Sequence, residues 1–109
     1  MRKIVSKNSN IEDKMDKIGG IDKIIHGTGR LKIVSLLYVI ESADFVFLRG
    51  QTGLTWGNLS VQATKLEEAG YLKIEKKFVR KKPLTIARLT NEGRLAFEKY
   101  RKQMHDVLN

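Results

Sequence analysis

The 109-residue sequence contains no cysteine, which excludes disulfides, thiol catalysis and cysteine-ligated zinc. Its two histidines, His26 and His105, are far apart and lack metal-ligand spacing, so no metal site is expected. No apolar run approaches the ~18 residues that a membrane-spanning helix needs. The first ten residues, MRKIVSKNSN, start basic but lack the apolar stretch of a signal peptide. The expectation is a cytoplasmic protein with no membrane partner. Enzyme signatures are missing too. Ser35, Ser42 and Ser60 have no elbow motif and no His–Asp partners. Glu67 and Glu68 are adjacent on a helical pattern, about a quarter-turn apart, whereas paired catalytic carboxylates face each other across a cleft. Gly27-x-Gly29 precedes a helix but follows no strand, so it is not a phosphate cradle. No catalytic residue and no cofactor are expected.

Acidic residues are scarce: 12 Asp plus Glu stand against 21 Lys plus Arg, for a net charge of +9. Such a balance favours a polyanionic partner through its field and through counterion release. At this length the chain forms one domain with one small core. Residues 1–10 read as a loose N-terminal arm and residues 11–109 as the domain.

Ile11, Met15 and Ile18, then Ile21, Ile24 and Ile25, recur at helical spacing, with Gly19-Gly20 predicting a bend or two short helices. His26 reads as a structural residue near a helix end. After a break at Gly27-Thr28-Gly29, where Thr28 is a candidate cap, Arg30 to Glu41 is apolar enough to be central to the core. Ser42-Ala43-Asp44 reads as a second break. Asp44 suits an N-cap for a short helix from Phe45 to about Gln51, with Phe45 and Leu48 inward.

The chain is organised around Leu54 to Leu72, LTWGNLSVQATKLEEAGYL. Thr55 caps a helix whose apolar stripe is Leu59, Ala63 and Leu66. Asn58, Val61, Gln62 and Lys65 form a different face, polar and free of acid. Gly70 ends the helix. The period then changes to two: Leu72, Ile74, Lys76 and Phe78 alternate with Lys73, Glu75 and Lys77. Arg80, Lys81 and Lys82 form a basic tip, Pro83 belongs at a turn or strand edge, and Leu84 to Leu89 returns as the second strand of a two-stranded hairpin. Thr90 caps a last helix, Asn91 to about Leu108, in which Glu98 and Lys102 form an i,i+4 pair. Its stripe of Phe97, Tyr100, Met104, Val107 and Leu108, with Ile11, Met15 and Ile18, is the candidate dimer interface. The alternative is that both stripes close one monomer's core.

A helix with one buried stripe and one polar face, beside a basic ribbon, suits the DNA major groove. Asn58 and Gln62 lie one turn apart, and each amide can pair with adenine. Val61 can meet a thymine methyl, and Lys65 a phosphate or guanine. Thr55 and Ser60 can donate to phosphate. Trp56 either contacts sugar and base edges or folds back on the short helix before it. Lys76, Lys77, Arg80, Lys81 and Lys82 of the hairpin suit the flanking backbone.

GNLS (Gly57 to Ser60), KLEEAGYL (Lys65 to Leu72) and RLTNEG (Arg88 to Gly93), in this order and spacing, resemble winged-helix transcriptional regulators of the MarR/ArsR type. The resemblance runs from about Ile25 to about Tyr100. It implies a mainly α fold with a small β-hairpin: a winged helix-turn-helix with N- and C-terminal helical extensions. It also implies a homodimeric transcription factor on double-stranded DNA. Metal-sensing relatives bind through cysteines, which this chain lacks, and larger relatives hold small molecules beside their dimer helices. Here that scaffold is short, and the effector is unknown. The alternatives are a winged-helix protein-interaction module and a non-specific nucleic-acid binder, including one of double-stranded RNA.

Overall fold

The computed structural model describes residues 20–108. Helix α1, Thr28–Ile40, buries Ile33, Val34 and Leu37 in the middle of the molecule, while Ile40 emerges at its end. Gly27 is its N-cap and no side chain caps it, so Thr28 lies inside the first turn rather than capping it. Glu41 ends α1 with φ 70°, and its N–H bonds back to Leu37 O at 2.8 Å. The chain reverses there into strand β1, Ser42–Asp44.

Asp44 then caps helix α2, Phe45–Thr52, accepting from Phe47 N–H at 2.8 Å. Leu48 is fully buried, and the buried Thr52 hydroxyl is satisfied by Leu48 O at 2.7 Å. Gly53 takes the left-handed C-cap and turns the chain into helix α3, Trp56–Glu68. Leu59, Ala63 and Leu66 of α3 are fully buried, on the stripe expected from their spacing. After α3, Gly70 adopts φ 84°, and Tyr71 N–H reaches Leu66 O at 2.9 Å.

Strands β2, Leu72–Val79, and β3, Lys82–Leu89, form an antiparallel hairpin closed by Val79 opposite Lys82. The sheet has three strands rather than the expected two, in the order β1-β3-β2. The stretch read as a break, Ser42-Ala43-Asp44, pairs with Arg88, Ala87 and Ile86. Three residues are too few to show a period of two, so only the open edge of β3 makes them a strand. Pro83 lies opposite Phe78. That position is next to the closing pair, where the β3 backbone nitrogen faces away from β2, and β1 does not extend that far, so no ladder bond is missing.

Helix α4, Asn91–Leu108, starts at Thr90, whose Oγ1 accepts from Gly93 N–H at 3.0 Å and donates to Gly70 O at 2.6 Å. Phe97 and Tyr100, expected at a dimer interface, are instead buried in the core of the single chain. Phe97 packs on Tyr38 of α1 with ring centroids 4.9 Å apart. Tyr100 OH meets His26 Nδ1 at 2.8 Å. Met104 packs partly against the same core, Val107 is half-buried and Leu108 is exposed. The Glu98–Lys102 pair is not formed: Glu98 Oε2 accepts from Tyr38 OH at 2.8 Å.

Residues 21–27 make turns rather than the end of a helix. Asp22 Oδ1 accepts from Ile24 N–H at 2.8 Å and Ile25 N–H at 3.1 Å, the pattern of a helix N-cap, and Asp22 O accepts from His26 N–H at 2.9 Å, so a single turn forms here. The other Asp22 carboxylate oxygen accepts from Tyr71 OH, tying this segment to the start of the hairpin. Ile11, Met15 and Ile18, and the arm of residues 1–10, lie outside the described residues.

Candidate nucleic-acid interface

Helix α3 owes its position to a cap at its start and a buried stripe along its length. Thr55 Oγ1 accepts from Asn58 N–H at 3.1 Å, as the sequence suggests. With Leu59, Ala63 and Leu66 inward, helical geometry turns Gly57, Val61, Lys65 and Glu68 outward. Val61 is half exposed, and Asn58, Ser60 and Lys65 are exposed beside it. Gln62 lies lower on the helix, toward α1. Its Oε1 accepts from Arg30 Nη1 at 2.6 Å, and its Nε2 donates to Asn58 Oδ1 at 2.9 Å. Both ends of the Gln62 amide are therefore engaged within the protein.

Trp56 takes the arrangement in which it turns back toward the preceding helix. The Arg49 guanidinium of α2 lies 5.0 Å from its ring centroid, while half of the indole remains exposed. Trp56, Ser60 and Thr64 line one side of a groove of about 370 Å³. Ile74, Lys76 and Thr85 of the hairpin line the other side, and Phe45 of α2 also lines it. Three hydroxyls, two on the α3 wall and one on the hairpin wall, beside an ammonium and an aromatic suit a sugar-phosphate strand, though Glu67 also borders the groove.

The hairpin separates residues that the sequence groups together. Lys76 shares the groove face with Ile74, whereas Lys77 points to the opposite face. There Glu75 carboxylate oxygens lie 3.7 Å from Lys77 Nζ and 3.9 Å from Arg88 Nη2. Among the described residues these are the ion pairs of the hairpin, so its tip, Arg80, Lys81 and Lys82, carries uncompensated charge. Arg80 and Lys81 form the two-residue turn with φ of 54° and 66°. Side chains other than Gly or Asn adopt this left-handed pair at a cost.

Residues 30–108 match the winged helix DNA-binding domain family. The chain belongs to that family. An uncharacterized protein of Methanocaldococcus jannaschii is 40% identical over 78 residues, covering 72% of this chain and 85% of that protein. A transcriptional regulator homologue from Pyrococcus horikoshii OT3 has a similar structure, with a TM-score of 0.80 at 24% identity over 88% of this chain and 94% of that one. A MarR-family transcriptional regulator from Silicibacter pomeroyi matches with a TM-score of 0.61 at 16% identity, over 98% of this chain and 67% of that one. At these identities the structural likenesses show a shared fold. In winged-helix terms α2 and α3 are the helix-turn-helix and β2–β3 is the wing.

Sequence reasoning missed Arg30, Arg49, Thr64 and Thr85 as members of this winged-helix surface. Arg30 meets Gln62 from 32 residues away, a separation that no local period encodes. Thr85 enters the groove through its register with Lys76. Among the described residues no three His, Cys, Asp or Glu side chains gather to hold a metal ion, and no helix is long and apolar enough to cross a membrane.

Proposed function

We propose that this winged helix domain is a sequence-specific, double-stranded DNA-binding transcriptional regulator that acts as a homodimer. Helix α3 enters the major groove, and the wing lies along the flanking backbone or reaches the minor groove. The observation that carries this reading is the pairing of an exposed, donor-bearing α3 face with a wing whose tip has three cations and no acidic neighbour. Asn58, Val61 and Lys65 meet base edges. Thr55, Ser60, Trp56 and Lys76 hold the adjacent strand, and Lys77, Arg80, Lys81 and Lys82 meet phosphates farther along. Gln62 supports Asn58.

The dimer joins α4 ends through Met104, Val107 and Leu108, with Ile11, Met15 and Ile18 of the N-terminal segment. Exposure of Leu108 at 75% supports this placement. A two-fold dimer favours a pseudo-palindromic site with half-sites about one helical turn apart. Regulators in the family's fold provide the precedent for transcriptional control.

The test is the salt dependence of binding to duplex DNA, followed by fluorescence anisotropy. The expected logarithmic slope is steep, near −0.9 for each phosphate contact. Asn58→Ala is expected to lose discrimination among sequences while retaining non-specific binding. A slope near zero, or no binding at low salt, would instead favour a protein-interaction module.

A further inference from the structure

On the side of α3 that faces the start of α1, three side chains form a hydrogen-bond chain with a fixed direction. Arg30 Nη1 donates to Gln62 Oε1, and Gln62 Nε2 donates to Asn58 Oδ1. An isolated amide can present either end to a neighbour. A guanidinium has five donors and no acceptor, so it accepts only one orientation of Gln62. With its oxygen on Arg30, Gln62 turns its N–H₂ to Asn58 and requires an oxygen there. Asn58 is thereby left with its own N–H₂ as the free end, on an exposed residue in the first turn of α3.

The arrangement is built into the backbone around it. Arg30 Nε donates to Ile24 O at 2.5 Å, which holds the guanidinium across the start of α1. A Cβ at position 27 would stand 2.4 Å from Arg30 Nη2, and one at position 29 would stand 3.0 Å from Gln62 Cγ. Gly27 and Gly29 thus clear the room that Arg30 and Gln62 occupy. The first turn of a helix is also where the dipole disfavours a cation, so the stability of α1 does not account for Arg30.

We infer that Arg30 is a positioning residue for base recognition. Through Gln62 it sets Asn58 to present donors, so that α3 reads an acceptor-bearing edge there, guanine N7 and O6, rather than the donor–acceptor edge of adenine. The inference rests on the proposed function and narrows it. A chain of bonds running one way polarises its members and strengthens the terminal donor. Lys65, two turns along the same side, is also a donor without acceptor capacity. Val61 stands between them and adds a methyl contact suited to thymine.

The experiment is selection of bound duplexes from a random pool by the wild type and by Asn58→Ala, Gln62→Glu, Arg30→Gln and Arg30→Lys. Each variant is first checked for a cooperative thermal transition. Asn58→Ala identifies the position, by losing its preference there. The wild type is expected to favour guanine over adenine at that position by about fivefold or more, the range of a good base contact. Gln62→Glu keeps an acceptor for Arg30 but offers no N–H, so Asn58 must turn over and present its oxygen. The preference is then expected to switch to adenine or cytosine, whose exocyclic amines donate. Arg30→Gln, able to donate or accept, is expected to lose discrimination at this position, and Arg30→Lys, a donor alone, to retain it. Should Gln62→Glu not fold, the Arg30 pair decides. Three results overturn the inference while leaving the proposed function standing: a wild-type preference for adenine or cytosine, a preference unchanged in Gln62→Glu and Arg30→Gln, or no position lost in Asn58→Ala. No enriched sequence from the wild type overturns both.

Discussion

Phe97 shows how one residue's role depends on what the fold places over it. It lies on the apolar stripe of α4, but Tyr38 of α1 covers it within the same chain. Phe97→Ala is therefore expected to lower unfolding free energy by about 3–5 kcal/mol in a urea titration. Leu108→Ala should change it by less than about 0.5 kcal/mol and weaken self-association instead. Tyr71 gives a pH signature. Burial first, then the hydrogen bond to Asp22 and the charges of Asp22 and Glu92, push its phenol from 10.0 up to about 12. A folded value above the unfolded one means that this stabilisation is complete below the ordinary tyrosine range and is lost as pH rises toward 12. Tyr71→Phe should be less stable than the wild type at neutral pH, with the gap closing in urea melts taken toward the upper end of that window. The stripe of Leu59, Ala63 and Leu66 and the caps Asp44, Thr55 and Thr90 were legible in the sequence, because each is fixed within a few residues. Gly93 was legible as part of a motif but not in its cause. A Cβ there would stand 2.3 Å from Tyr71 O, where α4 crosses the start of the hairpin.

At the scale of elements, the wing combines strain and charge in one turn. A two-residue hairpin turn favours Asn-Gly, and this one carries Arg80 and Lys81 at positive φ. Arg80→Asn with Lys81→Gly is expected to raise stability by roughly 1–3 kcal/mol, since each unsuited residue in that region costs about 1–2 kcal/mol. The same pair should weaken DNA binding, because two cations leave the tip. Lys81→Ala with Lys82→Ala should weaken binding to all sequences similarly and reduce the salt slope by about 1.8, near 0.9 for each contact. An unchanged slope would remove the wing from the interface. The hairpin was legible from its period of two, but β1 was not, because its pairing with β3 joins residues more than forty positions apart, Ser42 with Arg88. The helical spacing of Ile21, Ile24 and Ile25, read as part of a pattern over Ile11 to His26, yields one capped turn in which His26 N–H reaches Asp22 O.

At the scale of the molecule, the resemblance carried by GNLS, KLEEAGYL and RLTNEG implied the winged-helix architecture, and the fold brings α3, the wing and the first turn of α1 to one surface. The sequence pattern could not show which terminal apolar residues serve the monomer, since burial within a chain and burial between chains use the same side chains. Phe97 and Tyr100 went to the core, which leaves a narrower stripe, Met104, Val107 and Leu108, for a partner. The central claim is that two copies present α3 to successive major grooves. The measurement that tests it most directly is the mass of the protein–DNA complex on duplexes recovered from a random pool at near-physiological salt. The account predicts an inverted repeat, half-sites about one helical turn apart, bound by two chains. Recovery of no common sequence, or one chain on an asymmetric site, would contradict it.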